Sequence, residues 1–273
     1  MSSFILQQVL VEDLSDRQHP VTFRDELVTH ARSTFRHTGV GILPVIDRFR
    51  RIVGILRRED VFLLSSTRAV AYVREFMREP VYIAQSTDTV LKACREMLQV
   101  GEWEVPVAPL PLKTYLGVLS FKRVVRYIYD LEPRILKETP ALEIATCEDI
   151  IMCKPDERVD AIWRRTIEKR LSGIPVVDAK RRLIGFVTQT DLLRRGVVRP
   201  RFESWERPRI TKVENIMTKD VKWVSKKATL YEVVKLMVEQ KVSRVPILDQ
   251  RKRLVGIVDL EDIVRLFVET RRR

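Results

Sequence analysis

One sentence is written four times along this chain. Residues 172–191, SGIPVVDAKRRLIGFVTQTD, read as a strand, a charged turn, a second strand and a helix start. The pattern returns at 243–262, SRVPILDQRKRLVGIVDLED, and at 41–60, GILPVIDRFRRIVGILRRED; a worn copy lies at 103–123. Pro44, Pro106, Pro175 and Pro246 mark the first strand of each copy. Gly54, Gly117, Gly185 and Gly256 mark the second. A long period held four times is the signature of repeated supersecondary units, and few other folds accommodate it.

Each copy is preceded by a segment with helical periodicity. In repeat one Thr22 and Asp25 are spaced as a capping box, with Leu27, Ala31 and Phe35 following. Repeat two offers Val90, Ala93, Cys94, Met97 and Leu98 on one face, and repeat three Val159, Ile162, Trp163, Thr166 and Ile167. Repeat four has a second capping box, Thr229 with Glu232, and the stripe Leu230, Val233, Val234 and Met237. The unit is therefore helix, strand, strand, helix, and the fold class is α/β. One such unit cannot cover its own sheet, so two pairs are expected. The first spans 1–136 (repeats at about 10–68 and 73–130). The second spans 137–273 (repeats at about 144–196 and 213–270), with a basic insertion at 197–212.

No apolar run approaches the roughly 20 residues of a membrane span. The N-terminus reaches Glu12 and Asp13 without a basic start, so a cytoplasmic protein is expected. Net charge is +13 and uneven: residues 1–136 carry 19 Lys+Arg against 16 Asp+Glu, and residues 137–273 carry 31 against 21. An anionic partner for the second half is one explanation. An ion-paired surface adapted to heat is the other, and the single Asn (Asn215) fits it. Cys94, Cys147, Cys153, His19, His30 and His37 lack metal-ligand spacing and read as structural. No Gly-rich phosphate loop and no nucleophile with a histidine partner are present, so no catalytic residue is assigned.

The second strand ends in a fingerprint: Gly185-Phe-Val-Thr188-Gln-Thr-Asp191 in repeat three, Gly256-Ile-Val-Asp259-Leu-Glu-Asp262 in repeat four. Thr188 and Asp191 have capping-box spacing, which alone explains them. A carboxylate at that place can also accept hydrogen bonds from a ribose diol, with helix N–H groups favouring a nearby phosphate. Repeat one has Arg57 at the cap position but keeps Asp60; repeat two keeps Ser120 but has Arg123 for the carboxylate. Cap and carboxylate thus vary independently.

This pattern, hPhhD, a charged turn, then hhGhhT/S-x-x-D after a helix, resembles the cystathionine-β-synthase (CBS) domain over nearly the whole chain. With four motifs, and Arg in place of the second Asp, the arrangement is similar to the regulatory γ subunit of AMP-activated protein kinase. The resemblance implies two CBS pairs packed as one flat body that bind adenosine ligands in their clefts; many CBS proteins attach the pair to an enzyme or transporter, but the four repeats leave no segment for one, so none is expected. Carried over by position, Asp60, Asp191 and Asp262 are ribose ligands. Thr188, Arg244, Asp259 and Arg57 stand at the ribose or phosphate, although a carboxylate at Asp259 repels phosphate. Thr218 and Val221, their rough equivalents Thr146 and Ile150, and Pro175 and Pro246 fall at the adenine pocket. The function implied is a non-catalytic energy or metabolite sensor for AMP, ADP or ATP, regulating a protein partner or acting as a homodimer, without membrane.

Two alternatives stay open. An S-adenosylmethionine-type ligand shares the ribose grip. A nucleic-acid partner would use the basic second half, where Arg199, Arg201, Arg207 and Arg209 interleave with Phe202 and Trp205; charge runs are more often solvated faces.

Overall fold

In each repeat the motif proline and glycine lie on two neighbouring strands, antiparallel in repeats one to three. The computed structural model describes residues 2–62, 71–169, 171–194 and 211–269. The chain opens with α1 (Ser2–Gln7) and α2 (Val11–Leu14). Repeat one supplies β1 (Thr22–Phe23), α3 (Val28–Thr38), β2 (Ile42–Ile46), β3 (Ile52–Arg57) and α4 (Arg58–Phe62). Repeat two supplies a 3₁₀ turn (Val73–Glu75), β4 (Ala84–Gln85), α5 (Val90–Val100), β5 (Glu104–Ala108), β6 (Gly117–Ser120) and α6 (Phe121–Asp130), and α7 (Arg134–Glu138) follows. Repeat three has a 3₁₀ turn (Ala141–Glu143), α8 (Val159–Glu168), β7 (Gly173–Val177), β8 (Leu183–Thr188) and α9 (Gln189–Arg194). Repeat four has a 3₁₀ turn (Val213–Asn215), β9 (Val224–Ser225), α10 (Leu230–Glu239), β10 (Arg244–Leu248), β11 (Leu254–Asp259) and α11 (Leu260–Glu269).

The sequence reading misses the two-residue strands β1, β4 and β9, which are too short to show alternation. Each pairs in parallel with the first hairpin strand, as Thr22↔Val45 and Phe23↔Ile46 do. In repeat three Cys153 holds that place alone, donating its N–H to Pro175 O at 3.0 Å and accepting from Val177 N at 2.9 Å. The short strands also explain the prolines. Pro44 lies just before the residues that β1 pairs, Val45 and Ile46, so its missing N–H breaks no ladder bond on that side. Pro106 and Pro246 stand in the same relation to β4 and β9.

The charged turns are built on one aspartate each. Asp47, Asp178 and Asp249 accept from the backbone N–H groups two and four residues on, and from the Nε of Arg51, Arg182 and Arg253. At Asp249 the Arg253 backbone bond, with its guanidinium, holds the carboxyl below its ordinary pKa. Arg50, Arg181 and Lys252 take the left-handed position of these turns, with φ of 60°, 59° and 58°. The turns of repeats three and four meet through Leu183 N→Lys252 O and Leu254 N→Arg181 O, both 3.0 Å. Lys180, Arg181, Arg251 and Lys252 are exposed there, which places part of the second half's surplus charge.

The helical stripes are buried as their spacing predicts, except for Leu27, which is exposed just ahead of α3, and Leu98 and Ile167, which are half-buried. Leu230, Val233, Val234 and Met237 line α10, and the Thr229–Glu232 capping box is present. The expected box at Thr22 is a correction. Thr22 belongs to β1 and bonds Glu26, Asp25 pairs with Arg74 at 2.5 Å, and α3 begins at Val28 without a side-chain cap. The strand pairing of β1 with β2 claims Thr22 before any helix can.

The chain forms two compact units. One is drawn from the stretches 1–61, 70–139 and 259–273, the other mostly from 140–258. The stretch 259–273, which holds the last helix of repeat four, is grouped with the first unit. α11 closes the fourth repeat in sequence, yet it packs on α1, α5 and α6 of the first unit. Its buried face is Leu260, Ile263, Val264, Phe267 and Val268. Trp103 Nε1 donates to Glu261 Oε2 at 3.0 Å in the same unit.

Candidate functional site

Each repeat is preceded by a lead-in segment, and the lead-in does not pair with its own repeat's hairpin. Thr218, in the lead-in of repeat four, exchanges backbone bonds with Phe186 of β8 (2.8 and 2.9 Å). Thr146, leading into repeat three, does the same with Ile257 of β11 (2.9 and 3.0 Å). In the first unit Arg78 bridges Ile55 of β3, and Asp16 bridges Val118 of β6. The motif glycines permit this crossing. A Cβ on Gly185 would lie 2.5 Å from Met217 Sδ and 3.2 Å from Thr218 O; one on Gly117 would lie 2.7 Å from Asp16 O.

In the second unit the crossing gathers residues from repeats three and four. Gly173 faces Thr188 in the β7–β8 register, and Arg244 Nη1 donates to Gly173 O at 3.0 Å. Arg244 therefore reaches the end of β8 that carries Thr188 and Asp191, and Thr218 bridges two residues before Thr188. The fingerprint itself is a capping box. Thr188 N donates to Asp191 Oδ2 at 2.9 Å, Thr188 Oγ1 donates to the same oxygen at 2.6 Å, and Asp191 N donates to Thr188 Oγ1 at 3.1 Å. Both bonds to the carboxylate fall on Oδ2, and no donor among the described residues reaches Oδ1.

The remaining expected residues are placed as follows. Asp259 caps α11: its Oδ1 accepts from Glu261 N at 2.9 Å and Asp262 N at 3.2 Å, while Asp262 Oδ2 accepts from Asp259 N at 2.8 Å. A carboxylate at a helix start is favoured by the helix dipole. Pro175 and Pro246 are buried within β7 and β10. Val221 is half-buried beyond Thr218. Ile150 is committed to a core cluster with Val177, Leu248 and Leu254. Arg199, Arg201, Phe202, Trp205, Arg207 and Arg209 lie outside the described residues.

The first unit differs at the same positions. Arg57, expected at a phosphate, is instead ion-paired with Glu102, and both side chains are largely buried. Removing two charges from water is tolerated because they pair. Asp60, expected at a ribose, binds Arg78 Nη2 through Oδ1 at 2.6 Å. Its Oδ2 is buried without a hydrogen-bond partner. Arg123 donates to Leu14 O at 2.8 Å and lies 3.8 Å from Asp16. Arg78 and Glu102 escaped sequence reasoning; aligning Met77-Arg78 with Met217-Thr218 would have flagged the first.

Burial raises the Asp60 pKa from its ordinary 3.8, more than Arg78 and Arg57 lower it, with Glu59 raising it further. A raised folded pKa means the native state holds the proton longer, so stability falls as pH rises through 3.8 and the folded value. Asp60→Asn removes that dependence. The wild-type urea midpoint relative to Asp60→Asn should therefore fall as pH rises above 3.8; a difference that stays flat or grows would contradict this.

A profile of the CBS domain family matches residues 11–66, 73–130, 142–197 and 213–269. The chain belongs to the CBS domain family. Its CBS repeats are 32% identical over 118 residues to an inosine-5'-monophosphate dehydrogenase of Methanocaldococcus jannaschii, covering 43% of this chain and 22% of that enzyme. They are 29% identical over 131 residues to a homoserine O-acetyltransferase of Methanococcoides burtonii, covering 48% of this chain and 25% of that enzyme. The chain thus spans about a quarter or less of these two relatives. A full-length likeness is to an uncharacterized M. jannaschii protein, 22% identical over 272 residues, covering 90% of this chain and 92% of that one. Its crystal structure superposes with a TM-score of 0.81 at 21% identity, over 95% of this chain and all of that one. It is described as a suggested archaeal homologue of the AMP-activated protein kinase γ subunit; at this identity the likeness shows the shared CBS fold.

Among the described residues no helix is long and apolar enough to cross a membrane. None of their His, Cys, Asp and Glu side chains form a group of three placed to hold a metal. The Cys94 and Cys153 thiols are buried, which pushes each up to about 12, away from nucleophilic use.

Proposed function

We propose that this CBS protein is a non-catalytic regulatory sensor that binds an adenine nucleotide, AMP, ADP or ATP, at the end of β8 in the second unit. The observation that carries this is Asp191 Oδ1, left without a donor while Oδ2 holds the cap. An ionised carboxylate accepts from both hydroxyls of a ribose. Arg244, bonded to the residue facing Thr188, supplies positive charge for a phosphate. The backbone at Thr218 and the side chain of Val221 would meet the adenine. Repeats one with two, and three with four, would act as pairs, with the second pair beginning near residue 137. Asp262, on an equivalent cap, is a second ribose ligand in this reading.

A ligand touching Thr218 and Asp191 joins repeats three and four. It shifts any equilibrium in which those repeats move, by the difference in its affinity for the two states. The output would be the packing of a regulated protein partner or a second copy, in the cytoplasm. Calorimetric titration with AMP, ADP, ATP and S-adenosylmethionine, together with mass spectrometry of small molecules released by mild denaturation, tests this. Saturable binding of an adenine nucleotide without phosphate release is expected. Preference for S-adenosylmethionine would reassign the ligand, and sustained hydrolysis by the pure protein would end the non-catalytic reading.

A further inference from the structure

The residue that crosses from the lead-in to the partner hairpin is Thr218 or Thr146 in the second unit, and Arg78 or Asp16 in the first. The residue at the third position of the closing helix is Asp60 in repeat one and Arg123 in repeat two. Within the first unit these positions carry opposite charges, with the signs reversed between the clefts. One cleft sets a lead-in cation against a helix anion, Arg78 to Asp60 at 2.6 Å. The other sets a lead-in anion against a helix cation, Asp16 to Arg123 at 3.8 Å. A further bond from Arg123 Nε to Leu14 O at 2.8 Å fixes the second.

We infer that the repeat-one cleft is closed by the Arg78–Asp60 ion pair, and that nucleotide binding is carried by repeats three and four. This rests on the nucleotide reading given above and specifies which sites serve it. The contrast between two carboxylates decides it. Asp60 offers a ligand nothing: Oδ1 is held by Arg78 and Oδ2 is shut away from solvent. Asp191 lies opposite an uncharged lead-in residue, Thr218, and keeps Oδ1 undonated. A ribose at Asp60 would have to displace the Arg78 guanidinium from a largely buried carboxylate, giving up an ion pair for bonds in which only the acceptor is charged. Arg78 is thus the residue that keeps repeat one from holding a nucleotide.

Equilibrium dialysis with AMP, ADP and ATP on full-length variants tests this. Asp60→Ala should leave the wild-type number of bound nucleotides unchanged, whereas Asp191→Ala should lower it by one. Arg78→Thr, which installs the residue type of position 218, should add one site, and adding Asp60→Ala to it should remove that site again. The Asp60→Ala arm decides even when Arg78→Thr lowers stability, since it removes the buried charge. A drop in wild-type stoichiometry on Asp60→Ala overturns the inference while leaving the nucleotide reading intact. Absence of any nucleotide binding by wild type overturns both.

Discussion

Asp191→Ala is expected to weaken adenine-nucleotide binding by roughly 10- to 150-fold. The carboxylate would make charge-assisted bonds to the ribose diol, and such bonds contribute about 1.5–3 kcal/mol, which converts to that range of affinity. The structure also gives Asp191 a structural duty, since its Oδ2 accepts from both Thr188 N and Thr188 Oγ1. Losing the carboxylate in the first turn costs the fold tenths to about 1 kcal/mol. Binding and stability must therefore be separated. Thr188→Ala removes the hydroxyl cap but leaves the carboxylate, so it should lower the melting temperature comparably and reduce affinity less. Calorimetry and thermal unfolding on both variants give the comparison. Equal affinity losses in the two, scaling with their instability, would reduce Asp191 to a helix cap.

Phe267→Ala is expected to produce the largest stability loss, about 3–5 kcal/mol, the range for emptying a fully buried phenylalanine site. Phe267 is fully buried on α11. Although it belongs to the fourth CBS repeat by sequence, its helix packs on α1, α5 and α6. The damage should therefore appear in the first unit. Hydrogen exchange by segment is the measurement: amides of α1, α5 and α6 should lose protection more than those of α10. Loss confined to 140–258 would mean that α11 belongs, energetically, to its own repeat.

Much of this was legible in the residues, for a local reason. Hairpins and helices are written in periods of two and 3.6, so SGIPVVDAKRRLIGFVTQTD announces strand, turn, strand and helix start without help from the rest of the chain. The same holds for the Thr229–Glu232 cap, the α10 stripe, and the Thr188–Asp191 spacing. What failed locally was Thr22, whose capping-box spacing was outbid by parallel pairing with Val45. Two-residue strands have no period to detect, and they exist only because a longer strand lies beside them.

The sequence by itself determined the repeat, its elements, and the residue types at each cap. Only the tertiary structure decided which residues meet. Asp60 and Arg78 are 18 positions apart, Arg123 and Leu14 109, Trp103 and Glu261 158. Nothing in backbone periodicity encodes such distances, because they follow from how one repeat's lead-in crosses to its partner's hairpin and where α11 finds an apolar surface to cover. The same Asp can be read in repeats one and three, but an arginine crossing from the next lead-in neutralises the first, and a threonine in the same place leaves the other a free oxygen.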